Sequence, residues 1–184
     1  MRPFAILTFV LLLLGACGAP PDTTPDGSVA QIYRIPESQA ARVQFRMLDS
    51  INALRQASGL RDLTLNSSLN AAAATHSRDM SLQNRPWHFG SDGSSPIQRV
   101  QRAGYTRTLL GENISETYET ETETLAAWMD QPETRAAIMD PAGEDLGFAW
   151  FQEPGGKIWW TLIVGGGGAV NIQDASPNPD RAQG

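Results

Sequence analysis

Leu146-Gly-Phe-Ala-Trp-Phe151 and Ile158-Trp-Trp-Thr-Leu-Ile-Val164, joined through Glu153-Pro-Gly-Gly156, decide the fold. Two runs rich in aromatic and β-branched residues, parted by a Pro-Gly-Gly turn, predict a β-hairpin. The second arm is apolar almost throughout, which suits a central strand buried on both faces. Trp159 and Trp160 are neighbours on that extended arm, so their rings point to opposite layers and serve packing. Gly165 to Gly168 are expected to stop the strand, and the tail from Asn171, with Pro177 and Pro179, to be disordered.

Upstream of the hairpin the period changes to a helical one. Val43, Met47, Ile51 and Leu54 recur at helical spacing, Arg42, Arg46, Asp49 and Arg55 take the other positions, and Gly59 ends the helix. Asp62 to Leu65 reads as a short extended piece, and Asn66-Ser67-Ser68 offers caps for an alanine-rich helix from Leu69 to Met80. Turn formers fill Asn84 to Pro96, after which Ser94 or Ser95 before Pro96 starts a helix through Ile97 and Val100 towards Gly104. The acidic run Glu116 to Glu123 reads as a loop, then as the start of a helix bearing Leu125, Trp128 and Met129; Pro132 breaks or ends it, and Arg135 to Met139 makes a short turn or helix. Helices come first and strands last around one core, which predicts an α+β layered domain.

The 184 residues are 41% hydrophobic and 18% charged, which suits one domain with a real core. A net charge of −6, with thirteen arginines, one lysine and no basic run, excludes nucleic acid as a general partner. Two histidines, His76 and His88, cannot build a three-histidine zinc centre, and the lone Cys17 cannot form an internal disulfide. Cys17 ends a segment of another kind. After Met1-Arg2 comes the apolar run Phe4 to Leu14, too short to span a bilayer but right for a signal peptide, and Leu14-Gly-Ala-Cys17 is similar to the bacterial lipoprotein signal. That likeness predicts a signal peptide over 1–16 and lipidation at Cys17, and the change of pattern along the chain then divides it into a lipidated N-terminus and flexible tether over 17–37, a folded domain over 38–168 and a disordered tail over 169–184. It makes membrane lipid a partner through Cys17 and places the domain outside the cytoplasm, facing the periplasm or the cell surface. Gly18 stands where an Asp would retain such a lipoprotein at an inner membrane, which points to the outer membrane of a Gram-negative cell.

Within the domain, Ile51-Asn-Ala-Leu-Arg55 is similar to an opening N-x-x-R, and His88-Phe-Gly-Ser-Asp-Gly-Ser-Ser-Pro96 follows the helix bearing His76 and Met80. Ala103-Gly-Tyr105, Gly111-Glu-Asn-Ile114, Trp128-Met129, and then Pro132, Arg135 and Ile138 complete an ordered set. Together, from about residue 43 to 165, these pieces resemble the cysteine-poor bacterial branch of the CAP superfamily, or SCP-like extracellular domain. The resemblance implies an α-β-α sandwich with a central antiparallel sheet between helical layers.

It also implies a central groove with two histidines and two acids, which in some members bind a divalent metal such as zinc. His88 matches the first histidine and Glu112 the first acid, while Thr134 stands at the second histidine and Gln131 at the second acid. A zinc site on His88 and Glu112 would therefore be half of the family's set, with Glu133, beside the altered position, as a further candidate. The alternative for His88 and Glu112 is a mutual hydrogen bond that fixes the groove wall. His76 reads as a packed or surface residue of its helix, and the acidic run as a solvated face that could weakly collect calcium. Ser91, Ser94 and Ser95 beside His88 and Asp92 suggest a hydrolase triad, but a Ser-Asp-Gly-Ser loop is what turns and caps require. The expectation is a membrane-anchored binding module whose groove, through His88, Glu112, Glu133 and Thr134, takes a small apolar, envelope or protein ligand. A metal-assisted or serine hydrolase is the rival, for which His88 and Glu112 are the only supporting groups.

Overall fold

Four strands make the middle layer: β1 (Thr64–Leu65), β2 (Arg107–Ser115), β3 (Gly143–Gln152) and β4 (Ile158–Ala169), in the order β1-β3-β4-β2. The computed structural model describes residues 32–169. The expectations for the signal segment, for Cys17 and for the tail beyond Ala169 lie outside those residues. The hairpin is present as β3 and β4, in register from Leu146 opposite Val164 to Phe151 opposite Trp159, and β4 is central, flanked by β3 and β2. Both of those pairings are antiparallel, whereas the two-residue β1 runs parallel to β3, so the sheet is not wholly antiparallel.

Period-two alternation sorts the hairpin between two helical layers. Leu146, Phe148, Trp160, Leu162 and Val164 pack with α1 (Ala40–Ala57), α4 (Glu121–Asp130) and α5 (Pro132–Ile138). Ala149 and Ile163 pack on the other face with α2 (Ser67–Gln83) and α3 (Pro96–Arg102). The molecule is therefore the α-β-α sandwich expected, with Trp159 and Trp160 fully buried. Helix ends follow the local sequence. Gly59, at φ +71°, lets its own N–H reach the Gln56 carbonyl and that of Leu60 reach Arg55, closing α1. The Asn66 side chain caps α2 by accepting from the N–H groups of Ser68 and Leu69. Ser95 and Gln98 form a capping box at α3, with Pro96 as its first residue.

Several expectations change. β2 had no counterpart in the hydrophobic pattern, because Arg107–Ser115 carries no alternation. β4 does not stop at Gly165: it runs on through the glycines to Ala169. A Cβ at Gly165 would lie 2.2 Å from the Tyr105 hydroxyl and one at Gly166 2.0 Å from the Ala142 carbonyl oxygen, so these glycines permit close approach instead of ending the strand. Arg55 is fully buried and Leu54 is exposed, the reverse of the expected helical faces, and Ile97 is exposed. Glu121 of the acidic run is buried against Arg46, 2.6 Å away, and Glu123 closes a capping box with Thr120. The packed unit also begins before Ser38: Tyr33 and Ile35 lie against the core, and Gln152 bonds the backbone of both.

Candidate functional site

Glu112 reaches the α2 and α3 side of the sheet because β2 is irregular. Leu109 pairs with Gly165 and Gly111 with Val164, so Leu110 is an extra residue against β4. One inserted residue inverts the alternation that follows it. Glu112 thereby pairs with Ile163, on the α2 face, and Asn113 with Leu162, on the α5 face. Without the bulge Glu112 would point into the opposite core.

Three further side chains meet it from α2, from α3 and from the loop between them. His76 lies on the sheet-facing side of α2 with Ala72, Ala73 and Met80, and is fully buried. Arg99 stands mid-way along α3 and is 5% exposed. His88 sits in the loop that leaves α2 through Asn84, whose φ is +48°. That loop is pinned by Asp79 of α2, whose carboxylate accepts from the Ser91 N–H at 2.7 Å and the Ser91 hydroxyl at 2.6 Å. At Gly90, whose N–H donates to the Ser94 carbonyl, a Cβ would come within 2.7 Å of both the Ser94 hydroxyl and the Asp92 carboxylate.

The four groups centre on the Glu112 carboxylate, itself 2% exposed. Arg99 Nη2 lies 2.8 Å from each of its oxygens. His88 Nδ1 is 3.0 Å from Oε1, and His76 Nε2 is 3.7 Å from the same atom. Burial would push the Glu112 carboxyl up, but the His88 hydrogen bond, the pull of His76 when protonated, and the charge and hydrogen bond of Arg99 outweigh it and hold the group below its usual range. Burial is the main influence on His76 and pushes its imidazole down, against the pull of Glu112. Neither of its ring nitrogens closes a hydrogen bond of normal geometry. His76 is accordingly neutral near pH 7, and Arg99 is the positive charge that balances Glu112. An ionised Glu112 accepts a hydrogen bond from the Nδ1–H of His88, whose side chain is half exposed.

His88 and Glu112 thus meet as expected, while Glu133 and Thr134 do not join them. The Thr134 hydroxyl donates to the Trp128 carbonyl at 2.6 Å, and its own carbonyl accepts from Asn113 on the other face of β2. Thr134 and Gln131 line a separate cleft of about 290 Å³ with Tyr118 and Trp128, and Glu133 is exposed on the first turn of α5. The serines are committed elsewhere, Ser91 to Asp79, Ser94 to Asp92 and Ser95 to the α3 cap, and among the described residues no hydroxyl is paired with His88. His76 and Arg99 were not legible as site residues. A buried histidine on an alanine-rich helix and an arginine in a short helix look the same as structural ones until β2 is placed.

The donor set does not fit a divalent ion. Both Glu112 oxygens already accept from Arg99, and Thr134 at the second histidine position turns its hydroxyl away to a helix end. Next to the cluster, between α2 and α3, lies a cleft of about 590 Å³. Ala71, Ala72, Thr75 and Leu82 form one wall, Ala103 and Arg102 the other, and Arg99 joins the cleft to the Glu112 pair.

The cysteine-rich secretory protein family (CAP) is matched over residues 48–164. An uncharacterized protein of Bacillus subtilis, YkwD, is 27% identical over 128 residues, which is 70% of this chain and 49% of that protein. The chain therefore spans about half the length of that curated relative. Among solved structures, an outer surface protein of Borrelia burgdorferi superposes with a TM-score of 0.63 at 16% identity, over 68% of this chain and 92% of the other. An extracellular protein containing an SCP domain from Bacillus anthracis gives 0.61 at 21% identity, over 78% and 44% respectively. These likenesses agree with the three-layer fold described above.

Proposed function

The chain belongs to the cysteine-rich secretory protein family, CAP, and from that premise we propose that it is an extracytoplasmic binding module whose ligand lies in the cleft between α2 and α3. The observation that carries this reading is the cleft itself. Its volume of about 590 Å³ is in the range of small-molecule sites, most of its surface is carbon, with Ala71, Ala72, Leu82 and Ala103 among the lining, and charged groups, Arg78, Asp79, Arg99 and Arg102 among them, line it as well. A small ligand with an apolar body and a polar end fits that lining, the body against Ala71, Ala72 and Leu82 and the polar end towards Arg99 and Arg102. An extracytoplasmic setting is supported by the Borrelia and Bacillus anthracis proteins, described as an outer surface and an extracellular protein.

The test is to extract the purified full chain and identify co-purifying molecules by mass spectrometry, beside Thr75→Trp, which puts an indole on the cleft wall. The wild type is expected to carry an apolar molecule that Thr75→Trp lacks; equal recovery from both refutes the reading. Attachment to a membrane through Cys17 is part of the same proposal. Labelling with a clickable fatty acid is expected in the wild type and not in Cys17→Ser, and label independent of Cys17 removes the anchor.

One observation favours a second reading, hydrolysis. The Glu112 carboxylate holds Nδ1 of a half-exposed His88, the carboxylate–imidazole pairing that orients a general base. Peptide, ester and peptidoglycan substrates test it: turnover lost in both His88→Ala and Glu112→Ala supports hydrolysis over binding alone.

A further inference from the structure

We infer that Arg99 is the resident cation of this site, holding the electrostatic place that a divalent ion would otherwise fill, so that the groove is built to work without metal. A carboxylate as buried as Glu112 needs a compensating charge at contact distance. Four features make Arg99 that charge and keep it there. Its Nη2 donates to both Glu112 oxygens at 2.8 Å, the shared contact that a metal bound by this carboxylate would replace. The same nitrogen donates to the His88 carbonyl at 3.0 Å, and Nη1 to the Ser94 carbonyl at 3.3 Å, so the guanidinium is also the brace of the loop that carries His88. The helix beneath it is set by Pro96 and the Ser95–Gln98 capping box. The remaining approach to Oε1 is taken by His88 Nδ1, with His76 behind it.

An ion entering here would have to displace the guanidinium, leaving that charge buried without its carboxylate and the loop without its brace. Thr134, where the family resemblance places a second histidine, offers no imidazole to offset that loss. The inference rests on the reading of this site as a binding groove, but metal alone tests it. A groove that takes no apolar ligand leaves it standing, and a groove that takes zinc overturns it without touching the ligand.

The experiment is zinc titration of the full chain by calorimetry, with the thermal midpoint followed in parallel. The wild type is expected to show no saturable binding that depends on His88 or Glu112, and no shift of its midpoint. Arg99→Met removes the cation, keeps much of the volume, and is expected to gain saturable zinc binding that raises its midpoint and disappears in Arg99→Met combined with Glu112→Gln. Arg99→Lys keeps the charge and is expected to stay unresponsive. Zinc binding by the wild type that is lost in His88→Ala overturns the inference. So does a folded Arg99→Met without response to zinc, or a response in Arg99→Lys as strong as in Arg99→Met. Should Arg99→Met fail to fold, the wild type and His88→Ala still decide the matter.

Discussion

Arg55 carries its charge into the interior and meets only carbonyls there. Its guanidinium donates to the backbone oxygens of Arg61, Ile138, Asp140 and Gly143 at 2.7–3.2 Å, tying the end of α1 to the end of α5 and the start of β3. Burial lowers its pKa, Asp140 and Asp62 oppose this, and an arginine remains charged throughout. Arg55→Met leaves these carbonyls buried and unpaired, so urea unfolding is expected to show a loss of about 3–5 kcal/mol. Arg55→Lys should recover less than half, because one ammonium cannot span four oxygens. Helical periodicity places every arginine outward, whereas Arg55 is fully buried. The N-x-x-R likeness gave the better signal, since Asn52 of the same motif also bonds backbone, taking the Leu63 N–H at 2.8 Å and giving to its carbonyl at 3.0 Å. His76 carries a pH consequence of known sign. Its folded pKa lies below the free value of about 6.5, so below that pH the unfolded chain binds a proton that the fold refuses, and stability falls as pH falls. Glu112 acts lower down: its depressed pKa stabilises the fold above about 4.5, and this is lost as pH drops further. In His76→Leu, urea unfolding at a series of pH values should show a flatter dependence between pH 7.5 and 5.5 than the wild type, with the steep loss below pH 4.5 retained. An unchanged slope would remove His76 as its source.

Strands and helices were legible wherever side-chain pattern alone decides them. The hairpin, the amphipathic α1, the capped starts of α2 and α3 and the break at Pro132 all follow from local residue choices. β2 follows from none of these, because an edge strand that gains its order by pairing with β4 needs no alternation, and its bulge at Leu110 breaks what alternation there is. The candidate site was half legible for the same reason: His88 and Glu112 came from a motif, whereas the face on which Glu112 emerges depends on one inserted residue. Glycines carry the rest of the layer geometry. A Cβ at Gly147 of β3 would lie 2.4–2.6 Å from Leu69 atoms, backbone carbonyl included, so α2 rests directly on the strand backbone. Gly147→Ala must push the helix away and is expected to cost about 2–3 kcal/mol in chemical denaturation. Gly155 in the hairpin turn has no atom within 4 Å of a Cβ, and Gly155→Ala is expected to stay within about 0.5 kcal/mol of the wild type. Equal effects at both positions would mean that α2 does not pack as tightly as the distances state.

At the scale of the molecule, two cores share one sheet. The larger lies under α1, α4 and α5 and holds Phe148 stacked on Trp160 at 5.6 Å; the smaller lies under α2 and α3 and borders the site. Composition foretold one domain with enough apolar residues to fold without disulfides, but not that Tyr33 and Ile35 pack against its core. Tyr33, Arg34 and Ile35 follow a proline-rich stretch with no period, and their packing depends on the distant hairpin. Gln152 donates to the Tyr33 carbonyl at 2.8 Å and accepts from the Ile35 N–H at 3.0 Å, while Arg34 donates to the carbonyls of Glu153 and Pro154. These contacts dock the start of the domain at the β3–β4 turn. A chain beginning at Ile32 is therefore expected to unfold at the same denaturant midpoint as the full-length protein. One beginning at Ser38 loses two half-buried apolar side chains and their backbone hydrogen bonds, a deficit of about 2–4 kcal/mol. Equal midpoints for these two truncated chains would show that residues 33–37 belong to the tether, as the sequence alone had placed them.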